Sequence, residues 1–501
     1  MNSRIEHAVV LGGGSAGLLS ALTFRRLLPE LRVTVVYSSN VPVVGVGEST
    51  TRAVPVFLHG ALALDRKEFY QDVRPIWKLG NRLVWGSPED EYFNYPFDSF
   101  LPLQNKNLRK PHMYYCQDGM TDAGHYYSMM DQGLAPVFVE SDGQCYVDEN
   151  FGYHIDNERF LAHLQKKAGQ AGVEFVDGDV AHVQQNERGD VSRLVLDDGL
   201  RVEADLFIDC SGFRSLLLKE TMGERYVDYS DTLFCDTAVI GSWPRDDDVL
   251  PLTTSETMEH GWCWNIEFED CITRGYVFSS RFCTVDEATR EMRAKNPELG
   301  DDLRVIRFPS GRYENFWVKN VVAIGNASGF VEPLEATALQ LIVEQLRFVC
   351  HALKDSDGDV TGAMQEVENR RYRGRWDDVR NFLAVHYKFN RRSDSPFWRH
   401  CRAETKLGDA EEFVEYYQKA GPSPLANFLA ADHSIFGFEG YMTMLLGQRV
   451  ATERPIQLTD QDRIDWEAYR AHVRWRAAQA LTMRDALELF YRQDFQWPQP
   501  R

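Results

Sequence analysis

The chain has 501 residues, 44% of them hydrophobic and 12% aromatic, with a formal net charge of −20. That apolar mass suffices for a sizeable core and excludes a disordered chain, while the acidic balance argues against nucleic-acid and anionic-membrane partners, which need an excess of Lys and Arg. No apolar run approaches the ~20 residues of a membrane-spanning helix, and nine scattered cysteines without CxxC or zinc spacing point to reduced thiols, no metal site and a cytoplasmic setting.

Residues 7–11 read as a short apolar strand, Gly12-Gly13-Gly14-Ser15-Ala16-Gly17 as a turn, residues 18–28 as a helix ended by Pro29, and residues 33–37 as a second buried strand. The polar residues before them carry no secretory signal. Gly12-x-Gly14-x-x-Gly17 therefore sits after a strand and opens a helix, where the dinucleotide fingerprint belongs. Gly12 permits the tight turn, Gly14 lets the backbone approach a pyrophosphate, and Gly17 allows close packing of helix on strand. The helix start, with Ser15 and Ala16 in the same turn, favours the phosphate charge. The acidic residue expected at the end of the second strand is replaced by Tyr37 and Ser38, so Ser38 is the candidate ribose contact. Val44-Gly45-Val46-Gly47-Glu48-Ser49-Thr50 then offers glycines that let the backbone pass closely over a flat ligand, with Gly47 and Ser49 as candidate contacts.

Residues 60–150 are aromatic-rich and read as an irregular insertion suited to a substrate pocket. Residues 157–168 read as a helix, 173–176 and 193–196 as short strands, and Asp198-Gly199 as a hairpin turn leading to a strand over 202–210. Residues 232–283 read as further strands, and 338–355, 361–384, 408–420 and 463–492 as helices. The basic cluster Arg370, Arg371, Arg373 and Arg375 is diluted by Glu366, Glu368, Asp377 and Asp378, which marks a solvated helix face. Asp209-Cys210-Ser211-Gly212-Phe213-Arg214 and Ile324-Gly325-Asn326-Ala327-Ser328-Gly329 each end a strand. Both resemble the later segments of FAD-binding oxidoreductases of the two-dinucleotide-fold type, as Asp179-Val180-Ala181 resembles their adenine-contacting piece. Their order favours FAD over NAD and adds Val180 and Asn326 to the candidate contacts.

Together with these segments, Trp77-Lys78-Leu79-Gly80, Trp262-Cys263-Trp264-Asn265-Ile266, Phe330-Val331-Glu332-Pro333-Leu334-Glu335-Ala336-Thr337 and the stretch from His386-Tyr387-Lys388 to Ser395-Pro396-Phe397-Trp398 resemble the FAD-dependent halogenases typified by the tryptophan halogenases, along nearly the whole chain. The resemblance maps the family's catalytic lysine onto Lys78 and its catalytic glutamate onto Glu335. The chain departs from the pattern at several points: Glu267 ends the WxWxIP signature where the family has proline, Ala336 and Ala338 stand where tryptophan-specific members have serine and glycine, and Leu18 replaces a common tryptophan. Tyr95-Pro96-Phe97 stands where those members have His-Pro-Phe, which makes Tyr95 and Phe97 candidate substrate contacts and places free tryptophan as substrate in doubt.

What the resemblance implies is an α/β, flavin-monooxygenase-like core with a substrate-binding insertion and a mainly helical C-terminal region. The expected division is 1–60 and 151–220 for the FAD-binding core, 61–150 for the pocket insertion, 221–310 for a substrate-side sheet, 311–355 for the FAD and halide segment and 356–501 for the helices. Reduced FAD and O₂ would give a C4a-hydroperoxide, and halide (chloride or bromide) attack on it would release hypohalous acid, guided to an electron-rich arene such as an indole or phenol. Lys78 would hold that acid as hydrogen-bond donor or haloamine, its charge unsettled by desolvation beside Trp77 and Trp85. Glu335 would act as polarising acid or general base; the alternative is that it caps the helix starting near Thr337, and Glu332 offers the same chemistry. Backbone amides at Thr337 and Ala338 form the candidate halide site, and Trp262 and Trp264, sharing a strand face, the barrier between flavin and substrate or else ordinary core. A single dinucleotide fingerprint implies a separate NAD(P)H-dependent flavin reductase as partner. Monomer and homodimer both stay open. The rival functions are a flavin-dependent aromatic hydroxylase and a catalytically idle flavoprotein.

Overall fold

His7–Leu11 is buried at all five positions and Arg32–Tyr37 at four of its six, the unbroken apolar run that a strand needs when both faces of its sheet are covered. In the computed structural model, which describes residues 4–41, 47–98, 109–110, 112, 114–116, 124–139, 144–245, 248–430, 434–454, 457–492, 494–495 and 497, these strands lie parallel within a six-stranded sheet. Its order is Glu174–Asp177, Arg32–Tyr37, His7–Leu11, Leu206–Asp209, Val321–Ala323, Trp317–Val318, parallel except at the last pair. Ser15–Leu27 makes the first crossover, and Asn157–Gln170 and Ala338–Asp355 pack on it. These elements form one of two compact units, Met1–Val73, Ile155–Tyr229 and Phe308–Trp376.

The hairpin expected at Asp198-Gly199 forms, with Gly199 at φ +87° and Val191–Leu196 antiparallel to Arg201–Glu203. The continuous strand expected over 202–210 does not. Arg201–Glu203 stays in the three-stranded hairpin sheet and Leu206–Asp209 joins the main sheet. The break falls at Asp205, whose carboxylate accepts the N–H groups of Glu6 and His7 at 3.0 Å each and ties down the entry of the opening strand. The basic helix face is solvated and paired as its composition suggests: Arg371 with Glu368 at 2.9 Å, Arg373 with Glu366 at 2.7 Å and Arg375 with Glu344 at 2.6 Å.

The second unit comprises Arg74–His154, Ser230–Arg307 and Asp377–Arg501. Its seven-stranded sheet runs Arg304–Arg307, Thr237–Pro244, Cys271–Phe278, Gly261–Glu267, Leu252–Met258, Gly80–Val84, Phe93–Pro96. Residues 60–150, expected to be irregular, thus give two strands to this sheet, and also the strand Ile76–Lys78 and the helices Arg66–Val73 and His125–Gln132. The reason lies in Gly80, where any Cβ would meet the Tyr95 carbonyl at 2.3 Å, so glycine lets the two edge strands close up. Val239, Met258, Tyr276 and Phe278 of the sheet pack on Ala288 and Met292 of Val285–Lys295, a helix opened by a Thr284–Glu287 capping box. The helix expected over 463–492 is two, Asp460–Ala477 and Met483–Phe490. Between them Ala480–Thr482 adds a strand to Leu134–Val139, and Thr482 caps the second helix by accepting the Asp485 N–H. All nine cysteines are free thiols. No metal-binding cluster and no helix long and apolar enough to cross a membrane occurs among the described residues.

Candidate active site

In the first unit the three fingerprint glycines answer to different neighbours. A Cβ on Gly12 (φ +128°) would lie 2.4 Å from the Cys210 carbonyl, and one on Gly17 would lie 1.9 Å from the Gly12 carbonyl. Gly14 would meet nothing within 4 Å, although it is the N-cap of Ser15–Leu27, a position where no side chain caps the helix. Two glycines are thus demanded by the protein's own packing, and the third leaves open space beside a helix N-terminus, where an anionic pyrophosphate is favoured. Ser15 donates to Asn157 at 3.2 Å. Gly325 (φ +68°) would place a Cβ 3.0 Å from that of Ala16, so the turn carrying the exposed Asn326 lies against the same helix start.

Where the second strand lacks its acidic residue, carboxylates come from the neighbouring strand's end. Asp177 accepts the Ser39 N–H at 2.9 Å, and Asp179 accepts from Asn40 at 3.0 Å. Hydrogen bonds from Asn40 and then Ser38 hold the Asp179 carboxyl below the usual carboxylate range. Ser38 is thereby half-buried against the segment that continues into Val180. Gly47 (φ +87°), Glu48, Ser49 and Thr50 are the described part of the second glycine cluster; its residues 44–46 lie outside the described residues. Space at Gly14, a helix start and convergent polar groups fit a dinucleotide cofactor of the FAD kind.

Glu335 and Glu332 are both buried, 4% and 1% exposed, so burial does not choose between them. Ala336, which follows, has φ +54°, a left-handed conformation costing a non-glycine residue about 1 kcal/mol. It closes a turn in which its N–H donates to the Pro333 carbonyl at 3.0 Å. That turn delivers the chain into Ala338–Asp355, with buried Thr337 as N-cap, no side-chain cap bond and Ala338 exposed. The helix expected to begin near Thr337 begins there, and its opening amides are the candidate anion donors.

In the second unit Lys78 is fully buried, with Nζ 5.4 Å from the centroid of the Phe97 ring. The Phe97 N–H donates to the carbonyl of Leu79 at 2.7 Å, which pins the aromatic residue beside the lysine strand. Trp77 and Trp85, expected to desolvate Lys78, are engaged elsewhere. Strand alternation turns Trp77 to the opposite face, onto Phe490. Trp85 stacks edge-on against Trp398 and Tyr387 and donates to the His386 carbonyl at 2.8 Å. Tyr95 packs on Phe382 and meets the helix Gly437–Gly447 at Gly440, where a Cβ would lie 2.7 Å from its hydroxyl.

Sequence reading missed His154. It is fully buried, its Nδ1 is 3.1 Å from the Glu267 carbonyl and its Nε2 2.8 Å from Thr253 Oγ1. Burial, and then the charge of Lys78, push its pKa down to about 3, so the ring is neutral. Since a carbonyl only accepts, Nδ1 carries the proton and Nε2 accepts from the Thr253 hydroxyl. Glu267, the departure from the signature proline, is equally built in. Its carboxylate accepts from Arg245 at 3.2 Å, the Leu250 N–H at 2.8 Å and Asn265 at 3.1 Å, and its presence lets the strand run on to pair with Ile272. Trp262 and Trp264 are buried on one face, 6.1 Å apart between ring centroids, and Trp264 lies across Gly275, where any Cβ would clash at 1.9 Å. Neither indole N–H finds a partner among the described residues.

Comparison with known proteins agrees along the chain. A family model described as tryptophan halogenase matches residues 7–463. The tryptophan 6-halogenase of Streptomyces albogriseolus is 31% identical over 453 residues, 84% of this chain and 83% of its own, and the tryptophan 7-halogenase of Lentzea aerocolonigenes 30% identical over 453 residues, 83% of each. Among solved structures, a lanthipeptide tryptophan 5-halogenase matches with a TM-score of 0.88 at 35% identity, covering 97% of this chain and 93% of that one. The tryptophan 6-halogenase of Streptomyces toxytricini matches with a TM-score of 0.87 at 28% identity, over 96% and 99%.

Proposed function

The chain belongs to the tryptophan halogenase family, and from that premise we propose that it halogenates the indole ring of tryptophan, with Lys78 holding the halogenating species and Glu335 handling the proton. As a flavin-dependent halogenase it is an oxidoreductase that works with FADH2 and a halide. When bound, the reduced flavin supplies, with O₂ and chloride or bromide, the hypohalous acid. Everything else falls to the chain. Gly14 and the start of Ser15–Leu27 take the pyrophosphate, with Ser38, Gly47, Ser49, Val180 and Asn326 around the rest, and the amides at Thr337 and Ala338 take the halide.

The observation that carries the reading is the setting of Lys78. It is a buried amine against an aromatic ring, next to an imidazole that is neutral, and it is placed by strand pairing and not by a mobile loop. An N–H donor so fixed orients hypohalous acid, which is otherwise unselective, toward one ring carbon. Glu335, buried in a rigid turn, takes the proton that the ring loses when aromaticity returns, a general-base role worth roughly 10²–10⁴ in rate. Trp262 and Trp264 form a wall that keeps the organic substrate from the flavin, and Tyr95 and Phe97 face the substrate. Reduced flavin comes from a separate NAD(P)H-dependent reductase, because only one dinucleotide fingerprint is present.

A second reading, in which the tryptophan is carried on a peptide, is favoured by the 35% identity over 97% of this chain to a lanthipeptide tryptophan 5-halogenase and by Tyr95 standing in place of histidine. One assay separates the readings. The enzyme is supplied with a flavin reductase, NADH, FAD and bromide or no halide, and offered free tryptophan, simple indoles and tryptophan-containing peptides, with products read by mass. Bromide-dependent mass gain supports halogenation, and the best substrate class decides between free and peptide-borne tryptophan. Oxygen insertion without halide would instead make it a hydroxylase, and no product with any substrate would favour an idle flavoprotein.

A further inference from the structure

Beside Phe97 lies a group of three titratable side chains, two buried carboxyls and a half-buried imidazole, that the reading above does not use. Asp98 is 6% exposed, and its Oδ2 is 3.1 Å from His125 Nδ1 and accepts the Tyr126 N–H at 3.3 Å. On the other side of the imidazole, His125 Nε2 is 3.4 Å from Asp148 Oδ2. The second Asp98 oxygen has no partner among the described residues. Space around the cluster is tight, since a Cβ on Gly124 would lie 3.0 Å from Asp98 Oδ2. The cluster joins the end of Phe93–Pro96, the start of His125–Gln132 and the segment after Cys145–Val147.

We propose that Asp98, His125 and Asp148 form a positioning cluster that locks Phe97 over Lys78 and so sets how much of the halogenating species reaches the arene and does not escape. Asp98 is bonded into the start of His125–Gln132, and Phe97, its chain neighbour, is bonded through its N–H to Leu79. The position of the Phe97 ring over Lys78 is therefore fixed from both sides: by the lysine strand through one backbone bond, and by the cluster through Asp98. Phe97 lies just beyond the end of its strand, so strand pairing alone does not place it.

The two carboxyls are differently poised. Burial pushes Asp98 up to about 6, against the opposing pull of His125. Burial would raise Asp148 as well, yet the His125 hydrogen bond holds it below the usual carboxylate range. Among the described residues, Tyr126, with Tyr146 near it, and Tyr469 on Asp460–Ala477 also face the cluster, and Arg476 of the same helix acts on Tyr469. The tyrosines that burial raises, Tyr126 and Tyr469, stay neutral across the working range. Ionised Asp98 strengthens its bond to His125, and protonation near pH 6 weakens it, so the lock tightens as pH rises through that value.

The proposal rests on the reading of Lys78 as the amine that holds hypohalous acid, and its test keeps the two apart. Asp98→Asn keeps shape and an acceptor for the Tyr126 N–H but removes the charge. It is expected to lower the ratio of halogenated arene to reduced flavin consumed by about tenfold to a hundredfold, with KM for the arene and the rate of flavin oxidation unchanged. It should also erase the step near pH 6 in the pH profile of that ratio. His125→Gln should do the same, and the folded fraction of each variant is checked by its thermal transition. A parental ratio and pH profile in folded Asp98→Asn and His125→Gln overturns the proposal, as does a loss that appears equally in flavin oxidation or only in KM. Should Asp98→Asn fail to fold, His125→Gln and Gly124→Ala, which crowds Asp98 Oδ2, carry the same readout. Lys78→Ala run alongside decides the parent reading: an active Lys78→Ala sinks that reading, whereas an inactive one beside a normal Asp98→Asn sinks only the cluster.

Discussion

The glycine turn of the first unit and the lysine strand of the second reach function by opposite means. At the turn the working feature is space. Gly14 would meet nothing within 4 Å, while Gly12 and Gly17 are forced on the chain by carbonyls 2.4 and 1.9 Å from any Cβ. Around Lys78 the working feature is burial. The lysine and His154 are each 0% exposed, and the Phe97 ring lies against the amine. A cofactor with a fixed phosphate shape is met by bare backbone and a helix start. A small, indiscriminate oxidant calls instead for a single donor whose position is over-determined by packing. Replacements should therefore act differently in the two regions, on binding at the first and on the fate of the oxidant at the second.

The largest expected effect is at Lys78. Lys78→Ala should lower arene halogenation at least about 10³-fold while reduced-flavin oxidation proceeds near the parent rate, so that oxidised halide escapes and is trapped by an added reactive phenol. A variant that halogenates at the parent rate would make Lys78 a packing residue. Next is Glu335→Gln, expected to lower kcat and kcat/KM together by roughly 10²–10⁴, with Glu332→Gln costing much less although it is the more buried of the two. Both belong to one segment, so the reverse ranking would move the acid assignment by three positions.

The contrast itself is tested at the glycines. Gly17→Val should destabilise the protein by more than about 3 kcal/mol in chemical denaturation, because its Cβ would overlap the Gly12 carbonyl. Gly14→Val should leave the unfolding midpoint nearly unchanged without cofactor and weaken FAD binding by about tenfold or more, near 1.4 kcal/mol. Equal stability losses at the two positions, with FAD affinity intact at Gly14, would mean that the space beside Gly14 serves no ligand.

The same contrast explains what could be read from the chain. The turn is local: six consecutive residues state the glycine positions, the preceding strand and the following helix, so its structure followed from spacing. Strands of the first sheet were legible for the same reason, as unbroken apolar runs. Lys78 was reached through likeness to a family, and its neighbours were not. Phe97, His154, Thr253 and Glu267 are brought to it by sheet register between distant segments, and register is a tertiary outcome. Sequence adjacency even misled there, since Trp77 is next to Lys78 in the chain and on the opposite face of the strand. Asp205 and Thr482 broke expected elements in a similar way, each by a side chain bonding to backbone N–H groups that no periodicity reveals.

His154 gives a pH-dependent effect. Its pKa is about 3 in the folded protein against 6.5 as an ordinary value, so between those pH values the unfolded chain binds a proton that the folded one refuses. The contribution to stability is complete above pH 6.5 and is lost progressively as pH falls toward 3. At pH 5 the loss amounts to about 2 kcal/mol at 1.36 kcal/mol per pH unit. His154→Gln cannot titrate but can still donate to the Glu267 carbonyl and accept from Thr253. Whatever it costs at pH 8, it should remove about that 2 kcal/mol from the fall in stability between pH 7 and pH 5, read from urea midpoints at the two values. Because Lys78 contributes to keeping the ring neutral, Lys78→Met should raise the His154 pKa, which leaves the fall between pH 7 and pH 5 nearly unchanged but ends the loss at a higher pH and makes its total by pH 3 smaller. If instead Lys78→Met leaves the acid dependence untouched, the imidazole is governed by burial alone, and the coupling between lysine and histidine that distinguishes this region from the glycine turn is absent.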